Sequence, residues 1–282
     1  MKLRESSGSK PAAGDRSRSP LSAIRDIPPY ALTLAIAAIL LMAWEFVLPI
    51  TLGTFFTSTP SATWKSLLAL FSSGDLIFHF RFTLQAASLG FLVGAAAGTL
   101  AGVTLGRVPF LNQALTPFVI VFYTLPKLAL APLFIVWFGI GLPMKVALTA
   151  TVVYFPVFIT ALAGAQNVTE GLVDIVKVMG GSRTYVLTRI VMPSVLTWLF
   201  VGLKQSIPYA LLGAVVGELI VSDQGAGYLL SKAAGQFDTA GVFAVLFVLV
   251  ILGYGSYEVV RLIEERAFPW KKSTSASVSI DG

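Results

Sequence analysis

Residues 166–193 read QNVTEGLVDIVKVMGGSRTYVLTRIVMP, a polar island between two strongly apolar stretches, and this stretch decides the fold. Asn167 and Glu170 stand at capping-box spacing, and Leu172, Ile175, Val176 and Met179 recur at helical intervals on one face, which predicts a helix. Gly180 and Gly181 end it. Ser182 is placed to cap a second helix, in which Val186, Leu187, Ile190 and Val191 form an apolar stripe opposite Arg183, Thr184, Thr188 and Arg189. Met192–Pro193 is expected to reset the chain. The prediction is a pair of short amphipathic helices folded at a tight turn, a knob at a membrane surface. The plain alternative is an amphipathic connector lying flat on the bilayer.

On either side of the island the chain is apolar. With 56% hydrophobic and 12% charged residues and a mean hydropathy of +0.82, it falls in the membrane class and outside the water-soluble one. The net charge of +6 does not indicate a nucleic-acid partner, because the basic residues cluster near the N-terminus and in short segments flanking apolar spans. With no cysteine there is neither a disulfide framework nor a thiolate site, and the single histidine, His79, cannot hold a metal alone. Flanked by Phe78 and Phe80, it is expected to pack at the membrane interface.

Residues 1–26 are rich in Ser, Gly, Pro, Lys and Arg, a composition expected to stay disordered. The apolar run Tyr30–Leu48 is too long for a signal core and is expected to remain as the first span. The second, from about Phe82 to Leu105, carries Gly90, Gly94, Gly98, Gly102 and Gly106, a small-residue line that lets helix backbones approach closely. Because a turn holds 3.6 residues, the line should drift around the helix and serve one or two crossing partners. Between Ala114 and Gly164 only Lys127 and Lys145 are charged, which leaves room for two spans divided at Gly139–Pro143. Pro126 and Pro132 interrupt the first of these, and the backbone freed there must face protein or water. A fifth span is expected at about Val195–Val221, a polar loop at Ser222–Asp238, and a sixth span at about Thr239–Val260.

Six spans with the N-terminus inside place fourteen basic residues in the cytoplasm and four outside, namely Lys65, Arg81, Lys145 and Lys232. That asymmetry fits the positive-inside rule and puts the 166–193 stretch, with both termini, in the cytoplasm. The expected organisation is a tail at 1–26, a first span with an external segment at 27–81, a core at 82–266 containing the loop 165–193, and a flexible tail at 267–282.

The loop resembles the EAA motif of ABC-importer permeases: Asp174-Ile175-Val176, three residues, Gly180, nine residues, then Ile190-Val191-Met192-Pro193. Spacing is kept while Asp replaces Glu, Ile-Val replaces Ala-Ala and Met replaces Leu. A second segment, Pro126-Lys127-Leu-Ala-Leu-Ala-Pro132-Leu133, resembles the Pro-Lys-x-Ala-Leu-x-Pro-Leu run of the nitrate, sulfonate and taurine branch, and Trp44-Glu45-Phe46 and 59–64 are similar to that family's Trp-Glu-Leu and Pro-Ser-Pro segments. The resemblance implies an all-α type I importer permease fold with six transmembrane helices in a bacterial inner membrane. It further implies a homodimer, a cytoplasmic ATPase dimer that binds the ATP and Mg, and an external solute-binding protein. The coupling residues it marks are Asp174, Lys177, Gly180, Gly181, Arg183, Ile190 and Pro193.

No phosphate loop, nucleophile elbow or His-Glu-x-x-His motif occurs, so no catalytic or metal-ligating residue is assigned and ATP would be bound by another polypeptide. Lys127, Lys204 and Glu218 fall inside spans, where an unrelieved charge costs about 2.5–3.5 kcal/mol. All three are candidates for the translocation pathway, and two readings stand for the lysines: they line a path for an anionic solute, or they snorkel and pair with carbonyls freed near Pro126 and Pro208. On the first, Lys204→Met should impair uptake with assembly intact. The competing classes are an ion-coupled secondary transporter, which needs inverted repeats or intramembrane acidic pairs, and a membrane-embedded enzyme, which needs clustered His, Asp or Glu.

Overall fold

The structure is a computed structural model that describes residues 28–168 and 170–268, and the chain divides into two units, Met1–Pro60 and Ser61–Gly282. The boundary between them falls well before position 81. The tail expected at 1–26 lies outside the described residues, as does most of the one expected at 267–282. Its first two residues belong to the fold: Ala267 closes the last helix, and Phe268 is buried edge-on against Phe200 at 5.5 Å.

In the first unit, α1 (Pro29–Met42) passes through a π-helical turn, Ala43–Val47, into α2 (Leu48–Leu52). Pro49 has no N–H to give to the carbonyl of Glu45, and the ladder widens at that point. Gly53 ends the run, and α3 (Thr54–Thr57) folds back so that Trp44 Nε1 donates to the Thr57 carbonyl at 3.2 Å.

The second unit takes in all of α4 (Pro60–Ser72) but its first residue and is built on three long helices: α5 (Asp75–Arg107), α8 (Leu142–Gln166) and α11 (Met192–Ile220). α5 starts seven residues before the expected span. At about 50 Å it is longer than the roughly 30 Å hydrocarbon core. Its glycine line decides how the bundle packs. A Cβ at Gly94, Gly98 or Gly102 would stand 2.5–2.6 Å from the carbonyls of Ala150, Tyr154 and Phe158, while Gly90 faces Thr149 and Gly106 faces Ala165. All five glycines therefore meet one neighbour, α8, running parallel to α5. One partner takes the whole line, within the one or two expected. Since this chain's own α8 fills the stripe, the stripe lends no support to self-association.

α11 runs antiparallel to both, with Gly202 against Val157 and Thr160, Gly213 against Thr149, and Gly217 against Lys145. The bundle thus has two ends, one at Arg107, Gln166 and Met192 and the other at Asp75, Leu142 and Ile220. Between α5 and α8 lie α6 (Pro109–Thr124), a 3₁₀ turn (Lys127–Leu130) and α7 (Ala131–Phe138), a pair bent by 81° at the expected proline break. Among the described residues, five helices are long and apolar enough to cross a membrane, six if the bent pair counts as one span.

The island 166–193 forms α9 (Glu170–Val178) and α10 (Arg183–Val186), and a π-helical turn at Leu187–Val191 carries the chain straight into α11. Met192–Pro193 therefore does not reset it. Pro193 sits in the first turn of α11, where its missing N–H costs little. The expected polar loop 222–238 contains α12 (Ala226–Gly235), and Asp238 caps α13 (Thr239–Ala267) by accepting the Gly241 N–H at 2.9 Å.

Candidate functional site

The turn of the 166–193 hairpin is a Schellman motif. Gly181 N–H donates to the Val176 carbonyl at 2.8 Å and Gly180 N–H to that of Lys177 at 3.0 Å, with Gly180 left-handed at φ +82°. Ser182 Oγ accepts the Tyr185 N–H at 3.2 Å, so it caps α10 as expected. Asn167 does not open a capping box: its side-chain amide donates to the Ala163 carbonyl at 2.9 Å and closes α8 instead. Beneath the hairpin Val173, Val186, Val191 and Val195 form a buried cluster with Ala165, joined by half-buried Val176 and Ile190. The cluster fastens the hairpin to the ends of α8 and α11.

This packing corrects the expected apolar face of α9. Val173 and Val176 point inward, whereas Ile175, Val178 and Met179 are 57%, 88% and 81% exposed. The helix has apolar residues on both sides, and its sequence alone does not reveal which side the bundle covers. Asp174 and Lys177 form an exposed pair at 3.1 Å beside the outward strip. The Arg183 side chain lies outside the described part of the structure.

Lys127 borders a cleft of about 460 Å³ formed by Tyr123, Pro126, Leu128, Val152, Phe155, Pro156, Tyr209 and Leu212. Its Nζ donates to the Tyr123 carbonyl at 2.7 Å, one of those freed at the break, and lies 4.4 Å from the centre of the Phe155 ring and 5.0 Å from that of Tyr123. Proline interrupts each wall: Pro126 at the bend, Pro156 within α8 and Pro208 within α11. Such backbone is tolerated at membrane depth where it meets protein or a watered space.

Lys204 is elsewhere. Its Nζ meets Glu264 Oε2 of α13 at 2.6 Å, and the Glu264 side chain is only 8% exposed. Assembly should therefore not survive Lys204→Met intact, contrary to the expectation from sequence. Stripping the cation from a buried carboxylate should lower stability by about 3 kcal/mol. Lys204→Met/Glu264→Leu should recover most of it, as read by thermal unfolding of the purified chain.

Glu218, 1% exposed, is enclosed by helices. Both carboxylate oxygens accept from Thr83 Oγ1, at 3.1 and 2.9 Å, and Oε2 also accepts the Gly227 N–H at 3.0 Å. Lys145, counted among the outer residues above, is buried at the start of α8, with Nζ 3.9 Å from Glu218 Oε1 and 2.8 Å from Ser222 Oγ. His79 is likewise more than packing: its Nδ1 accepts the Gly225 N–H at 3.1 Å. These partners lie far apart in sequence, and apolar periodicity does not reveal them. The signal available was chemical, since Lys145 and Glu218 sit in or beside apolar runs and must find each other or water.

Residues 90–268 match the family described as the binding-protein-dependent transport system inner membrane component. The chain belongs to that family. The matched region contains the hairpin, the cleft around Lys127, the Lys204–Glu264 pair and Glu218, while His79 and Thr83 lie before it. The permease is 32% identical to the formylaminopyrimidine transport permease protein ThiX of Halalkalibacterium halodurans, over 70% of this chain and 81% of that protein. It is also 30% identical to the putative aliphatic sulfonates transport permease protein SsuC of Bacillus subtilis, over 85% and 87%. Among solved structures it is similar to a chain of the inward-facing MetNI methionine ABC transporter, with a TM-score of 0.57 and 18% identity, covering 66% of this chain and 94% of that one. The permease is thus a multi-pass membrane protein of the type I importer fold and an ABC importer permease subunit.

Proposed function

We propose that this permease is the conducting half of an importer driven by a separate cytoplasmic ATPase, which binds the ATP and Mg and docks on the 166–193 hairpin. The observation that carries the reading is the exposed strip Ile175, Val178 and Met179 on a hairpin whose opposite side is fastened to α8 and α11. An apolar strip rimmed by Asp174 and Lys177 suits a groove in a protein partner, and a hairpin clamped to two long helices can pass a push into the bundle. Positive-inside asymmetry supports a cytoplasmic position for this end and for both termini.

The solute is proposed to be a small anion delivered by an external binding protein and passing the cleft at Lys127. There the ammonium is held by one carbonyl and two rings and keeps donors to offer. The relative named for aliphatic sulfonates fits an anion. A second copy of the chain is proposed to complete the path, supported by α6, which buries no residue within the chain, and by exposed Val136 and Trp137 on α7.

The test is purification of the tagged chain from its native membrane. A co-purifying polypeptide with a phosphate-loop sequence and ATP hydrolysis is expected. Full solute uptake in a strain lacking every such partner would sink the proposal.

A further inference from the structure

The segment that follows α11 is held by side chains alone at its most demanding point. The first N–H groups of a helix have no carbonyl of their own helix to bond. At the start of α12, three successive groups of this kind are taken by residues from elsewhere: Gly225 N–H by His79 Nδ1, Ala226 N–H by Thr83 Oγ1 at 2.7 Å, and Gly227 N–H by Glu218 Oε2. His79 and Thr83 are four residues apart and so share one face of α5, while Glu218 comes from the last turn of α11. The carboxylate also faces the positive end of the α12 dipole. From α8, Lys145 Nζ reaches Ser222 Oγ and, at 3.4 Å, the Gln224 carbonyl. Gly225, at φ +115°, leaves no room for a Cβ, which would collide with the Glu218 carboxyl group. All three long helices thus grip one short segment, at the end of the bundle opposite α9.

We propose that Glu218 is a positioning residue: together with Thr83, His79 and Lys145 it locks α12 onto the ends of α5, α8 and α11, so that this cover moves with the bundle. Its use in a transport cycle rests on the importer reading above; the lock itself does not. Gln and Leu at position 218 separate hydrogen bonding from space filling. A Gln carbonyl at the Oε2 position keeps Gly227 and Thr83 and gives up only Lys145, whereas Leu keeps the volume and none of the bonds.

The chain has no cysteine, so single-cysteine reporters are clean. Ala233→Cys reports on a buried site of α12 and Ser206→Cys on the buried middle of α11. The full chain in lipid nanodiscs is treated with a maleimide, with neither ATP nor solute present, so the result is independent of the importer reading. Glu218→Leu should speed Ala233→Cys labelling at least about tenfold, Glu218→Gln should leave it within about threefold of the parent, and Ser206→Cys should stay protected in both. Equal, parental labelling of Ala233→Cys in the Leu and Gln variants would overturn the proposal. So would opening of Ser206→Cys in the Leu variant, which would make Glu218 a general fold residue.

Discussion

Gly98→Leu should abolish accumulation of the folded permease, and Gly255→Leu should be tolerated. At Gly98 even a methyl group would stand 2.6 Å from the Tyr154 carbonyl oxygen and 3.0 Å from the Phe158 nitrogen. Both are backbone atoms of α8 and cannot swing aside. The helices would have to separate along the whole glycine line, losing the close packing that lipid does not replace. Gly98→Ala alone should cost about 1–3 kcal/mol as overpacking. At Gly255 of α13 nothing within the chain lies within 4 Å of an added Cβ. Size-exclusion profiles and thermal unfolding of the purified variants read the difference. If Gly98→Leu behaves like Gly255→Leu, α5 and α8 are not packed along this line.

Val178→Asp should remove the ATPase without harming the permease. Val178 touches little within its own chain, so the substitution should change stability by no more than about 0.5 kcal/mol. In a docked groove the same carboxylate would be buried without a partner, enough to weaken binding at least about a hundredfold and to empty the co-purified ATPase band. Val173→Asp is the contrasting case. It would place its charge in the buried cluster beneath the hairpin and should destabilise the chain itself. An undiminished ATPase band with Val178→Asp would show that the outward strip of α9 is not the docking surface.

Much of this fold was legible from residue type and spacing. Apolar length marked the spans, Pro126 and Pro132 marked a broken one, and Gly180–Gly181 marked a helix end that the structure closes with a Schellman motif. These features depend on neighbours along the chain. The features that stayed hidden depend on what the bundle brings together. α9 carries valines on one side and Ile175, Val178 and Met179 on the other, and only the position of α8 and α11 selects between them. α12 escaped notice because Ala226–Gly235 mixes small, polar and apolar residues, and its N-terminus is satisfied by side chains from α5 and α11 rather than by a cap of its own. Lys204 shows the same limit. The sequence placed it at membrane depth, and its partner Glu264 lies sixty residues away on α13.

The central claim is that the hairpin at 166–193 faces the cytoplasm, where an ATPase can reach it, and the most direct test is the sidedness of Val178. In the otherwise cysteine-free chain, Val178→Cys is treated with a membrane-impermeant maleimide in intact cells and again after permeabilisation. The account predicts no labelling in intact cells and rapid labelling once the membrane is opened. Labelling at the same rate in intact cells would place the hairpin outside and contradict the account.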